Sequence, residues 1–387
     1  MKSIAPISST LHELRTIAFY LPQFHPVSEN DAWWGKGFTE WRNVVNARPL
    51  FKGHYQPHLP ADLGFYDLRV PETREAQAQL ASSHGIGGFC YYHYWFHGRR
   101  LLHRPIDDVV RTATPRLPFC LCWANESWNR TWDHQEHEVL IRQEFSVQDD
   151  RAHIEHLLTL FSDDRYIKID GRPLFLVYRA SLLPEPVRTS DAWRKACVAA
   201  GLPGLYLAKV ESSPRERDVA PAQMGFDASV EFAPDWGSLP PRKFHRDRWD
   251  NVARAHTALR KLGMLPAAYS THRIFSYAKL SEQMQAKPPA TNVRFRCVTP
   301  GWDNSPRRRR DANIFHGSTP ALFERWVEAM ARDTLIRQHG DERILFVNAW
   351  NEWAEGNHLE PDLRWGRAYL DATSRGLRKA IDNAGPA

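Results

Sequence analysis

A chain of 387 residues with 42% apolar and 25% charged residues can bury a large core, which argues against overall disorder. Its 51 Lys and Arg exceed its 45 Asp and Glu by only six, too slight an excess to mark a nucleic-acid-binding protein. No run approaches the roughly 18 consecutive apolar residues of a membrane-spanning helix.

The first strand is predicted at Ile17–Phe24 (IAFYLPQF). A helix follows from Pro71, which suits a first helical turn, to His84, with Gly85 as its stop. The second strand, Gly87–Phe96, leads to a third at Pro118–Glu126. After a helix over Val147–Phe161 comes the fourth strand, Arg172–Ala180, and after a helix near Asp191–Ala200 the fifth, Gly204–Val210. The pattern is weaker for the sixth, Phe226–Phe232, and clear for the seventh, Phe295–Trp302, and the eighth, Ile344–Trp350. Long helices near Pro320–Gln338 and Gly366–Ile381 follow the last two.

Strands alternating with helices specify a parallel α/β architecture, and eight is the number that closes a barrel. An open doubly wound sheet would carry a G-x-G-x-x-G turn after its first strand. The cluster Gly85-Ile86-Gly87-Gly88 instead precedes a strand. The expected fold is a (β/α)₈ TIM barrel. Residues 1–387 form a single domain with its core over about 17–381, and there are long loops after strands one and six (His25–Val70 and Pro234–His272). Loops of this length in a compact domain tend to be lids or binding loops.

In a barrel the C-terminal ends of the strands form the active face. Those ends carry Tyr20; Tyr92, His93 and Trp95; Trp123, Asn125 and Glu126; Tyr178; Trp302 and Asp303; and Asn351, Glu352, Trp353 and Glu355. Aromatic rings stack on the C–H faces of sugars, while amides and carboxylates exchange hydrogen bonds with hydroxyls. The chain has 15 Trp, 12 Tyr and 19 Phe, many beside polar residues, although large barrels also use aromatics simply as core. Glycoside chemistry needs an acid for the leaving oxygen and a second carboxylate as nucleophile or base. Glu352 and Glu355, interleaved with Trp350 and Trp353 and ending at Gly356, are the candidate catalytic pair; an exposed helix face is the alternative for such spacing. Glu126 is a further candidate, either as an acid, as an acceptor for a substrate hydroxyl, or as a partner of Arg130.

His25, His54, His58, His93 and His97 show no helical H-x-x-x-H spacing and read as hydrogen-bonding or core groups, so no metal or cofactor is expected. The run Arg307-Arg308-Arg309-Arg310 reads as a solvated loop, or as a contact for an anionic sugar. Four of the five cysteines (Cys90, Cys120, Cys122, Cys197, Cys297) fall in apolar, strand-like stretches. The N-terminal MKSIAPISSTLHELRT lacks a continuous apolar segment, so a reduced cytoplasmic location is expected, with peripheral membrane attachment left open.

The segments AFYLPQFH, WWGKGFTEW, YYHYWF, CWANESW and above all NAWNEWAEGNHLEP resemble the WbsX-type family, which is related to glycoside hydrolase family 99. The likeness runs over roughly Ile17–Leu370 and implies a (β/α)₈ barrel. It implies roles too: Glu352 matches the base that deprotonates a sugar 2-hydroxyl, giving a 1,2-anhydro sugar, and Glu355 matches the general acid/base. Tyr20 and the strand-two aromatics would be substrate contacts. Three functions follow: a retaining endo-type glycosidase or transglycosidase acting on a bacterial polysaccharide or mannose-like glycan; a glycosyltransferase of O-antigen or lipopolysaccharide synthesis; and a non-catalytic glycan-binding barrel. The partner in each is an oligosaccharide or polysaccharide rather than a nucleic acid.

Overall fold

All eight strand candidates become strands: β1 Arg15–Tyr20, β2 Gly88–Phe96, β3 Phe119–Trp123, β4 Arg172–Val177, β5 Tyr206–Val210, β6 Ala228–Val230, β7 Arg294–Val298 and β8 Ile344–Val347. The structure is a computed structural model and describes residues 14–129, 138–242 and 266–384. Each strand runs parallel to its chain neighbours. β1 pairs with both β2 (Ala18 opposite Phe89) and β8 (Ala18 opposite Val347), so the sheet closes into a parallel barrel. Strands in such a barrel are covered on both faces and read as nearly continuous apolar runs, not as alternating ones. In β3 all five residues, Phe-Cys-Leu-Cys-Trp, are buried.

Around the barrel stand α1 Pro71–Ser83, α2 Arg104–Thr112, α3 Val147–Phe161, α4 Pro186–Ala199, α5 Tyr277–Gln285, α6 Pro320–Arg337 and α7 Ala368–Ala384. Their starts are written in local chemistry. Ser146 accepts a hydrogen bond from the Asp149 amide at the head of α3, and Thr319 accepts one from Leu322 ahead of Pro320 in α6. The helices α2 and α5 were not anticipated from the pattern. No helix among the described residues is long and apolar enough to cross a membrane, and all five cysteines are buried and free.

Side-chain parity along the strands decides what reaches the barrel interior. Phe19 points inward, with its ring centroid 5.6 Å from Tyr92 and 5.4 Å from Phe346. Its neighbour Tyr20 points outward and donates to Gln77 of α1.

The two long connections carry structure of their own. After β1 the chain forms short helices at Ser28–Trp34 and Trp41–Asn46. After β6 much of the basic, aromatic stretch lies outside the described residues. Its described end supplies the strand Arg273–Ser276, which pairs in parallel with Asn313–His316 from the β7–α6 connection.

Candidate active site

Past β8 the chain doubles back on itself. Asn351–Glu352 pairs antiparallel with Asn357–His358 around a 3-10 turn, Trp353–Glu355, which closes at Gly356. Gly356 has φ +55°, and a Cβ there would meet Asp303 at 3.1 Å. Left-handed backbone costs an L side chain about 1–2 kcal/mol. Gly356→Ala is therefore expected to lower the unfolding free energy by at least that much in urea denaturation. An unchanged midpoint would show that the loop relaxes freely.

A buried network behind this turn fixes its position. The Asn351 side-chain oxygen accepts from the Leu21 amide (2.7 Å) and its NH₂ donates to the Leu21 carbonyl (3.0 Å). Trp353 Nε1 donates to Glu360 (2.6 Å), which also accepts from Tyr66 (2.7 Å) and Gln77 (2.6 Å). Burial pushes Glu360 up to about 7 in spite of these three donors.

The turn presents Glu352 and Glu355 to a cavity of about 540 Å³ at the C-terminal ends of the strands. Arg307 lies beside them, largely buried, and divides its guanidinium among three carboxylates. Its Nη2 is 3.1 Å from Glu352, its Nη1 2.8 Å from Glu355, and its Nε 3.1 Å from Glu40. Glu40 is fully buried, and its other carboxylate oxygen has no hydrogen-bond partner among the described residues. Burial pushes Glu352 up to about 8: Arg307 pulls it down, while Glu355 and Glu40 push it further up. Glu355 is raised too, again by burial first, with Arg307 opposing and Glu40 adding. Three carboxylates against one guanidinium leave room for a proton at neutral pH. The family resemblance implies an ionised Glu352 and a protonated Glu355 at rest, with the two environments pushing them apart; burial instead raises both.

Six of the residues read from the sequence meet on this cavity: Tyr92, Glu126, Tyr178, Trp302, Glu352 and Glu355. Glu126 is paired with Arg179 at 2.7 Å; the alternative partner, Arg130, lies outside the described residues. Eight others do not line it, and strand parity or local bonding explains each. Tyr20, His93, Trp95 and Trp123 point out of the barrel. His93 meets His153 of α3 at 3.0 Å, Trp95 donates to Asp149, and Trp123 donates to the Trp95 carbonyl. Asn125 ties β3 to β4 through the Arg179 backbone. Asn351 and Trp353 brace the turn from behind. Asp303 faces a second cavity, where His54 (2.6 Å) and Gln56 (2.7 Å) bond to it.

Sequence reasoning passed over Tyr94, Trp33, Trp34 and Trp236, which line the cavity, as well as Glu40, and it gave Arg307 no partner among the carboxylates. Tyr94 shares the inward parity of Tyr92 and was legible on that ground. The arginine run divides: Arg309 and Arg310 are exposed, whereas Arg307 turns inward, a correction to the solvated-loop reading.

The second cavity, about 340 Å³, shares Trp302 with the first and is bordered by His58, His358 and Asp362. The candidate ligand atoms of these three residues lie within 4.8 Å of one another, the one such group among the described residues. His58 is hydrogen-bonded here, to the Tyr55 carbonyl and to His358, as expected from the sequence.

The model of the family described as Glycosyltransferase WbsX matches residues 16–373. The uncharacterized protein WxcX of Xanthomonas campestris pv. campestris, in two strains, is 45% identical over 368 residues. That match covers 95% of this chain and 50% of WxcX, so the chain spans about half the length of these relatives. Among solved structures, a glycoside hydrolase-like protein superposes with a TM-score of 0.56 at 14% identity, covering 97% of each chain. The GH99 endo-alpha-mannosidase from Bacteroides thetaiotaomicron does so with a TM-score of 0.52, also at 14% identity, over 95% of this chain and 98% of that one. Both likenesses bear on the fold.

Proposed function

The chain belongs to the WbsX glycosyltransferase family, and from that premise we propose that it acts on glycosidic bonds as a retaining endo-type glycosidase or transglycosidase of a bacterial polysaccharide, with Glu352 and Glu355 as its reacting carboxylates. The observation that carries the reading is the buried Glu352–Arg307–Glu355 cluster in an aromatic-walled cavity. One guanidinium fixes both carboxylates, and the rings of Tyr92, Tyr178, Trp236 and Trp302 offer faces on which sugar C–H groups stack.

The chemistry needs one proton shared by the pair. Ionised Glu352 takes the proton of the sugar 2-hydroxyl, that oxygen attacks the anomeric carbon, and the departing oxygen takes the proton of Glu355. In the second half Glu355 deprotonates the incoming water or sugar hydroxyl, which opens the three-membered ring, and Glu352 returns its proton to the 2-oxygen. The pair carries one proton throughout. Burial and crowding by Glu40 favour such a singly protonated pair, because they oppose full ionisation.

The expected pH dependence follows from that count. kcat/KM should be bell-shaped and displaced above the ordinary carboxylate range, because burial raises both members of the pair. A flat profile from pH 5 to 9 would oppose a shared proton.

The family's description as a glycosyltransferase favours a second reading, glycosyl transfer, for which the donor we propose is a nucleotide-sugar used in surface-polysaccharide assembly. Defined mannosides and nucleotide-sugars separate the two. Turnover of an oligosaccharide without a nucleotide, with the anomeric product followed by NMR, supports the first; heat protection by a nucleotide-sugar, together with transfer from it, supports the second.

A further inference from the structure

Two histidines 300 residues apart in the chain face each other across 2.8 Å, His58 through Nδ1 and His358 through Nε2. Their outer nitrogens are both engaged: His58 Nε2 donates to the Tyr55 carbonyl (3.1 Å) and His358 Nδ1 donates to the Glu360 carbonyl (2.9 Å). A carbonyl oxygen only accepts, so each outer nitrogen carries its ring's hydrogen. In the neutral rings the facing nitrogens therefore both hold lone pairs, and two lone pairs at this distance repel unless a proton or a cation lies between them. Asp362 is the third group aimed at the same space, with Oδ2 3.9 Å from His358 Nε2. Its other oxygen is occupied by the amides of Arg364 (2.9 Å) and Trp365 (2.6 Å).

We infer that His58 Nδ1, His358 Nε2 and Asp362 Oδ2 form a binding site for a divalent transition-metal ion of the zinc type, outside the catalytic cavity. The arrangement has what such sites require: two imidazoles and a carboxylate, with the second ring nitrogens held by backbone carbonyls so that tautomer and ring orientation are fixed. Tyr55 stacks on His58 with centroids 4.1 Å apart, and Trp353 stacks on His358 at 3.7 Å, which sets both ring planes. Tetrahedral zinc–nitrogen bonds of about 2.0–2.1 Å place two ligand nitrogens about 3.3 Å apart, so binding asks the rings to part by a few tenths of an ångström. The second cavity borders the site and leaves a fourth position for water or a ligand oxygen.

The position gives the ion a task. His58 belongs to the connection after β1, while His358 and Asp362 belong to the loop after β8 that carries Glu352 and Glu355. The two stretches already touch at Pro60 and Asp362, and the Leu363 amide donates to the Leu59 carbonyl (2.9 Å). A metal bound here clips them together and holds the carboxylate-bearing turn in register. No step of the bond chemistry passes through it, so the site and the glycosidic reading stand or fall separately.

The test is Zn²⁺ alone, titrated into chelator-treated protein at pH 7.5 by calorimetry. The expected result is one equivalent bound with Kd of about 1 µM or tighter and a rise in the thermal midpoint. His58→Gln and Asp362→Asn should each weaken binding by about 100-fold or more while leaving circular dichroism unchanged. X-ray absorption on the zinc-loaded wild type should show two imidazole nitrogens and oxygen, a readout that needs no variant to fold. Failure of the wild type to bind zinc would overturn the inference and leave a shared proton between the rings. Equal binding by wild type and His58→Gln, or a coordination shell without two imidazoles, would overturn it as well.

Discussion

Glu355→Gln is expected to lower turnover of an unactivated glycoside by at least about 100-fold, with the fold intact, because general acid–base groups typically contribute 10²–10⁴. Glutamine keeps the size of the side chain and an oxygen for Arg307 Nη1 but cannot deliver a proton to a departing oxygen. Glu352→Gln should cost as much for a different reason, since it cannot accept the proton of the 2-hydroxyl. Leaving-group chemistry separates the two roles. A substrate with an activated aryl leaving group needs no acid in its first step, so it should restore much of that step's rate in Glu355→Gln and little in Glu352→Gln. Rescue of Glu352→Gln alone would reverse the assignment. Turnover equal to wild type in Glu355→Gln would overturn the acid role of Glu355, and glycan binding with no turnover above background in wild type and variant alike would point to a non-catalytic glycan-binding barrel.

Stability gives an independent check on the same variants. A carboxyl raised in the folded state favours the fold in its neutral form and loses that advantage as pH climbs from the unfolded value through the folded one. For Glu352 the window runs from its ordinary value, 4.5, to about 8. Glu352→Gln should therefore melt close to the wild type at pH 5 and above it at pH 8 to 9. An active carboxylate that destabilises its own fold is a common feature of functional sites.

How much of this was legible in the sequence depends on the kind of information each residue carries. The barrel was legible because most strands are buried on both faces and read as nearly continuous apolar runs, as in Phe119–Trp123, punctuated by helices with marked starts such as Pro71 and Thr319-Pro320; the sixth strand, with Ser229 inside it, reads more weakly. The two glutamates were legible as polar residues placed just past an apolar strand. Their neighbours were harder. Tyr92 and His93 were both expected in the site, yet adjacent strand residues point to opposite faces, and only Tyr92 lines the cavity. Parity alone would have replaced His93 and Trp95 with Tyr94. Glu40 and Arg307 belong to a different class, since each derives its meaning from a partner far along the chain: Arg307 lies 267 residues from Glu40. No local pattern marks such a pairing. The same holds for His58, whose counterpart His358 is the histidine of the segment NAWNEWAEGNHLEP.

Arg307→Met is expected to be the most damaging single change in the cavity, and its effect should depend strongly on pH. Methionine matches much of the side chain's volume, so packing is largely kept while the positive charge is lost. What remains is three buried carboxylates that have lost their shared counter-charge, with Arg308 a lesser influence on Glu355; breaking a buried pair by removing one partner costs about 3–5 kcal/mol. The wild-type guanidinium is the main influence pulling both Glu352 and Glu355 down, so without it burial and mutual repulsion push them higher still. Groups raised in this way stabilise the fold below their unfolded pKa and withdraw that stability as pH rises. The melting-temperature gap between Arg307→Met and wild type should therefore be small at pH 4.5 and widen steadily toward pH 9. Turnover should fall as well, because the variant holds both carboxyls protonated where one must be ionised. Arg307→Lys sharpens the argument: its charge recovers part of the stability at high pH, but a single ammonium cannot direct separate nitrogens at Glu40, Glu352 and Glu355, and kcat should stay low. A gap that does not vary with pH, or a lysine variant with full activity, would mean that Arg307 contributes only charge or only packing, not the fixed geometry of the pair.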